Sequence, residues 1–236
     1  MNEQERQEIL SKAKEFFRSR VANNHIKNTR KLTDIRKFNI NPFTLRYLSN
    51  FAFGDDTPEN MAKALLYPRI LGTSISTTFG TQLQYFCSEV LTSYASTTSG
   101  IDIEFIDAID GRRKYCQVKA GPNTINHDDI TTIINHFTAI KNLARTNRMT
   151  DFNPLYDCVV GVFYGTEEEL SASYRTIAKD YPVFIGQDFW HRLTGDDNFY
   201  FDLINAFAEV AAEMDSTDLI NRVLQRLTQQ IRDAGL

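Results

Sequence analysis

The chain has 236 residues, of which 42% are hydrophobic, 24% charged and 12% aromatic, enough to bury a sizeable core and too evenly mixed for a fibrous or disordered protein. It contains no apolar run of the roughly 18 residues that a membrane span requires. Its first residues are rich in Glu, Lys and Arg rather than a basic tip followed by an apolar stretch, so no span or secretory leader is expected and the cytoplasm is the expected compartment.

The net charge of −4 hides an asymmetry: residues 1–50 carry eleven Lys/Arg against five Asp/Glu, and residues 51–236 carry fifteen against twenty-five. A basic early segment in an acidic chain points to a polyanionic partner; the competing reading is a solvated helix face. Cys87, Cys116 and Cys158 are odd in number, far apart and set in apolar surroundings, which argues for core thiols over disulfides or a zinc site.

In chain order, Ile9, Leu10, Ala13, Phe16 and Phe17 recur at helical spacing and predict an amphipathic helix over 4–21. A polar, basic stretch ends at Asn41-Pro42, which turns the chain before the apolar segment 43–53, and Gly54-Asp55-Asp56 breaks that segment. A helix is expected over 58–71, a Ser/Thr-rich loop over 72–78, and a helix from about 79 to 94 capped by Thr77 or Thr78. Strands over 101–107 and 113–119 are joined through Asp110-Gly111, a favoured two-residue hairpin pair. Ile130, Ile133, Ile134, Phe137, Ile140 and Leu143 mark a helix over 128–145, and 157–164 reads as a strand buried on both faces. A short strand over 181–185, a helical turn over 188–193 and helices over 199–214 and 217–232 complete the chain, with Phe189, Trp190 and Tyr200 assigned to the core. The order describes one α/β domain, 1–236, with a central mixed β-sheet flanked by helices and helical N- and C-terminal regions.

Period-two alternation in the hairpin puts Ile101, Ile103, Phe105, Cys116 and Val118 on one face and Asp102, Glu104, Gln117 and Lys119 on the other. With a two-residue loop, Asp102 is expected opposite Lys119 and Glu104 opposite Gln117. Two carboxylates and a carboxamide offer hard oxygen ligands suited to Mg²⁺, beside an ammonium that can orient a water: the makings of phosphodiester hydrolysis. The competing reading is a surface hairpin with cross-strand charge pairs. His127 and His136 lack metal-ligand spacing, so His136 is read as packed or capping and His127 as helix-terminal, with His25 a candidate phosphate contact.

Ile101-Asp102-Ile103-Glu104 followed by Gln117-Val118-Lys119 resembles the PD-(D/E)xK nuclease signature. Around it, Asn41-Pro42-Phe43, Thr78-Phe79-Gly80, Val118-Lys119-Ala120-Gly121, the stretch Val159 to Gly165, and Gly186-Gln187-Asp188-Phe189-Trp190 are similar, in order, to type II restriction endonucleases that cut GGNCC-centred palindromes. The resemblance implies a restriction-endonuclease-like fold and Mg²⁺-dependent hydrolysis of both strands of double-stranded DNA at a short palindromic site. It also implies a homodimer, matching the symmetry of such a site, in a bacterial or archaeal cytoplasm.

By position, Asp102 is then the first metal ligand and Lys119 the catalytic lysine. Gln117 fills a slot that is usually Asp or Glu, without its charge, and Glu104 or Glu89, on the preceding helix, is the candidate to supply it. Residues 1–70 become a basic DNA-binding or dimerisation region, with Lys27, Arg30, Lys31, Arg36 and Lys37 against phosphates. Asn123, Thr124 and Asn126 either approach the scissile phosphate or cap the next helix. The alternatives are a repair or recombination nuclease of the same superfamily, a DNA-binding module whose Gln117 marks a lost active site, and an acidic scaffold for another protein.

Overall fold

The computed structural model describes residues 2–236, the side chains of Gln84 and Ser93 excepted. Its elements are α1 (Glu3–Phe16), α2 (Asn23–Lys31), α3 (Pro42–Phe53), α4 (Pro58–Pro68), α5 (Ser74–Glu89), β1 (Ile103–Ile106), β2 (Arg113–Lys119), α6 (His127–Thr146), α7 (Pro154–Asp157), β3 (Cys158–Val162), α8 (Ala172–Ile177), β4 (Val183–Ile185), α9 (Gly186–Thr194), α10 (Phe199–Glu213) and α11 (Thr217–Asp233). No helix among the described residues is long and apolar enough to cross a membrane.

The chain divides into two compact units, one of the residues through Phe16 with Leu83–Ala208, the other of Phe17–Gln82 with Glu209–Leu236. The first holds a four-stranded sheet in the order β1-β2-β3-β4, with β1 antiparallel to β2 and the other neighbours parallel, the expected mixed sheet. Both faces of β3 are buried because alternate residues meet different helices. Cys158, Val160 and Val162 join Ile130, Ile133, Phe137 and Ile140 of α6 in one core, whereas a Cβ on Gly161 would lie 2.4 Å from the Phe189 ring of α9. Trp190 is fully buried among Phe86, Phe163 and Phe199, and its indole N–H donates to the Phe163 carbonyl at 3.0 Å. All three cysteines are free and buried.

In the second unit, Met61 and Leu66 of α4 pack with Val223, Leu227 and Ile231 of α11 and Leu45 of α3 in one core. The apolar segment after Asn41-Pro42 is helix α3. Asn41 Oδ1 accepts from the Phe43 amide at 3.0 Å, Pro42 occupies the first turn where no amide donor is needed, and Gly54 closes the helix at φ 87°.

Three expectations need correction. The predicted loop over 72–78 is helical: Pro68 ends α4, Arg69–Thr73 forms a π-helical segment, and α5 follows at once. The hydroxyls of Thr78 and Thr81 donate back to the carbonyls of Ser74 and Thr77, both at 2.8 Å, instead of capping an N-terminus. The basic stretch after Phe16, within the region expected to be helical, runs through π-helical Phe17–Ala22 and then α2.

The third correction is the hairpin register. Ile103 pairs with Cys116, Glu104 with Tyr115 and Ile106 with Arg113, so Glu104 does not face Gln117 and Asp102 does not face Lys119. The turn is longer than Asp110-Gly111 alone because Asp107, completely buried, holds it. Its amide donates to the Arg112 carbonyl at 2.9 Å, its carbonyl accepts from Gly111, and its carboxylate accepts from the Ile109 amide at 2.8 Å and from Arg192 at 3.0 Å. The slip is by an even number of residues, so the division of side chains between the faces survives.

Candidate active site

Three of the candidate residues gather at one end of β2. Asp102 stands at the entry to β1, where its amide donates to the Cys116 carbonyl at 3.0 Å and its Oδ2 accepts from the Val118 amide at 2.7 Å. The residue is solvent-exposed, yet its carboxyl is largely surrounded by protein. Partial desolvation pushes its pKa up, opposed by the Val118 hydrogen bond and the charge of Lys119. Its field reaches Cys87 in the last turns of α5, whose thiol burial and this carboxylate together push up to about 12.

Lys119, half-buried, is the last residue of β2 and pairs in register with Val162; its carbonyl accepts from the Phe163 amide at 2.8 Å. Among the described residues its ammonium makes no hydrogen bond or ion pair. The loop that follows is fixed. Thr124 Oγ1 donates to the Gly121 carbonyl at 2.8 Å, Tyr174 donates to that same carbonyl at 3.0 Å, and a Cβ on Gly121 would lie 2.5 Å from the Tyr164 ring.

Gln117, 4% exposed, points toward α6, and its Nε2 donates to His136 Nδ1 across 2.7 Å. Among the described residues no hydrogen bond reaches Gln117 Oε1. Among the described residues the side-chain polar atoms buried without a partner are Ser171 Oγ and Thr228 Oγ1, so Oε1 keeps some contact with solvent. A strand carboxylate and a free carboxamide oxygen are donors of the class Mg²⁺ takes alongside waters and substrate phosphates. They fit such an ion while bringing one negative charge, and no group of three or more His, Cys, Asp and Glu among the described residues forms a metal site alone.

The other candidates lie as follows. Glu104 accepts from Ser96 Oγ at 2.7 Å and Thr98 Oγ1 at 3.1 Å and pairs with Arg113 at 3.2 Å. Glu89 is the exposed last residue of α5. Asn126 caps α6: its side chain accepts from the amides of Asp128 and Asp129 at 2.8 and 3.1 Å, and Asp129 answers at the Asn126 amide. Thr124 is committed to the Gly121 turn, and Asn123 is exposed. Lys27, Arg30, Lys31, Arg36 and Lys37 are all exposed. Lys31 and Lys37 line, with Arg69, Thr73 and Thr77, a groove of about 500 Å³ in the second unit, whereas Arg36 is gripped by Asp34 through contacts of 3.0 Å. His25 meets the Ile70 carbonyl at 2.8 Å.

The side chain that sequence reasoning set aside is His136, read as packed or capping and found against Gln117. A signal was present: it stands three residues after Ile133 and four before Ile140, inside the apolar stripe of α6.

A comparison with the curated proteins finds no match for the chain. The family model described as Type II restriction endonuclease EcoO109I matches residues 4–215, nearly the whole chain and all of the strands and side chains just described. The chain belongs to that family of type II restriction endonucleases.

Proposed function

We propose that the protein hydrolyses both strands of double-stranded DNA at a short palindromic site, with Mg²⁺, as a homodimer whose two-fold axis matches that of the site. The observation that carries this reading is the convergence of Asp102, Gln117 and Lys119 at the open end of β2, within the segment matched by the restriction endonuclease family.

Asp102 and Gln117 Oε1 would hold the cation, with Glu89 the candidate for additional charge. The cation, when bound there, would supply Lewis acidity, polarising the scissile phosphate and lowering the pKa of a water. Lys119, its ammonium uncommitted, would donate to the attacking water to orient it and would stabilise the negative charge that develops on the phosphate. The Val118 amide keeps Asp102 aimed, and the Gly121 turn keeps Lys119 from being carried off by the chain that follows. Glu104 serves Ser96, Thr98 and Arg113 rather than the cation. Lys27, Arg30, Lys31 and Lys37 hold backbone phosphates, which makes affinity fall steeply with salt.

One observation favours a second reading: the neutral Gln117 in the ligand slot is what a DNA-binding module with a lost active site would carry. Digesting a mixed-sequence plasmid with Mg²⁺ and sequencing the fragment ends separates the two. The nuclease reading expects ends at one palindromic sequence that vanish in EDTA; tight, salt-sensitive duplex binding with no Mg²⁺-dependent ends would establish the other.

A further inference from the structure

The ring of His136 is boxed into place beside the candidate site and has no part in the mechanism above. Ile133 and Ile140, on the same stripe of α6, are buried in the sheet core and set the helix rotation. Gly100 closes on the ring from the loop ahead of Asp102: at φ 81°, a Cβ there would lie 2.5 Å from the imidazole, so that position tolerates no side chain. Gln117 Nε2 approaches Nδ1 at 2.7 Å. A carboxamide nitrogen only donates, so Nδ1 accepts and the ring proton resides on Nε2.

The consequence lies at the other arm of the amide. A carboxylate offers an oxygen at either end and has no orientation to set; a carboxamide turned over would present its NH₂ donors to the space beside Asp102 and repel a cation. We propose that His136 is a positioning residue that locks the Gln117 carboxamide with Oε1 directed at the divalent cation shared with Asp102. An acceptor on α6 thus does for a neutral ligand what charge does for an acidic one. The inference rests on the metal reading given above.

The test is Mn²⁺ alone, titrated at one fixed pH and read by the electron paramagnetic resonance of the free ion. Wild type, Asp102→Ala, His136→Ala, His136→Asn, Gln117→Glu and the Gln117→Glu/His136→Ala double variant are compared, with circular dichroism confirming the fold of each. Asp102→Ala abolishes Mn²⁺ uptake. His136→Ala weakens it about 10- to 100-fold, the usual scale for losing a group that orients a ligand. His136→Asn, whose amide oxygen can accept in place of Nδ1, recovers part of the loss.

Gln117→Glu tightens binding, and in that background removing His136 changes affinity by less than about threefold, because the coupling between the two positions is gone. An unchanged affinity in His136→Ala, or an equal loss in both backgrounds, overturns the inference while leaving the metal reading standing. Absence of any Asp102-dependent uptake in the wild type overturns both.

Discussion

The two compact units treat polar groups in opposite ways. Every buried charged side chain among the described residues, namely Asp107, Lys114 and Asp157, belongs to the unit with the sheet, as does Gln117, whereas the helical unit buries only Thr29 and Ser49 of its polar residues. That unit instead leaves its basic side chains outside, together with the α3 aromatics Phe43, Tyr47 and Phe51 at 86, 64 and 77% exposure. On the function proposed above, groups whose positions must hold to fractions of an ångström sit where burial and hydrogen bonds over-determine them, and groups that would meet DNA through charge or area sit on open helices. Substitutions in the two units should therefore fail differently, by loss of rate or fold in one and by graded loss of binding in the other.

The largest expected effect is on rate. Asp102→Ala removes a ligand of the cation and Lys119→Ala the ammonium that stabilises charge as the phosphate is attacked, so in each cleavage should fall by at least about 10³-fold while duplex affinity without metal changes little. Single-turnover cleavage alongside a binding isotherm checks this; cleavage within about tenfold of wild type in either variant would remove that residue from the mechanism.

Next is stability. Lys114, 1% exposed, is held by Asp110, by the Tyr156 carbonyl at 3.0 Å and by the nearby Asp107 carboxylate, which Arg192 also grips. Asp107→Ala takes one carboxylate partner from each of two cations, leaving Lys114 to Asp110 and Arg192 to Asp188, and should cost about 1.5–3 kcal/mol in urea unfolding. It should also lower cleavage, because the Asp107 turn fixes the register that brings Asp102 beside Gln117 and Lys119. Lys114→Met leaves the Asp107–Arg192 pair intact and should cost less.

A smaller effect depends on pH. Burial pushes the Asp110 carboxyl up, but Lys114 and the Arg112 amide more than offset this and leave it below its ordinary 3.8. The unfolded chain therefore takes up this proton first as pH falls. The group's contribution to stability is fully present above 3.8 and is lost on acidification through its lowered folded value. Asp110→Asn should be less stable than wild type at pH 7, and the gap should close toward pH ~2.

These sites differ in how readily the sequence exposes them. Helix α6 and strand β3 follow from their apolar spacing because burial on one stripe, or on both faces, leaves a repeating pattern. The polar face of the hairpin is legible for the same reason, and its parity tolerates the register error. The register itself is not legible: a buried Asp107, tied to an arginine 85 residues away, overrides the local preference of Asp110-Gly111. The pairing of Gln117 with His136 depends on how α6 rotates against β2, a tertiary fact that no spacing within either element encodes. The basic segment is visible as composition, but which of its cations are committed is decided by side-chain geometry.

That last distinction yields the smallest prediction and the most direct check on the helical unit. Arg36 and Lys37 are adjacent, exposed and equal in formal charge. Arg36 is held in a two-pronged contact by Asp34, and that pairing lowers the Asp34 carboxyl below its ordinary value; Lys37 opens onto the Arg69 groove. The dependence of duplex affinity on salt counts the phosphates neutralised in contact, so Lys37→Gln should reduce that slope by about one. Arg36→Gln should reduce it by less, since the guanidinium it removes is already spoken for. Asp34→Asn frees the guanidinium for a phosphate, and should steepen the slope in wild type and leave it unchanged when Arg36 is absent. Equal slopes in the Arg36 and Lys37 variants would mean that DNA displaces Asp34, and that exposed ion pairs in this unit yield to a polyanion where the buried ones of the sheet do not.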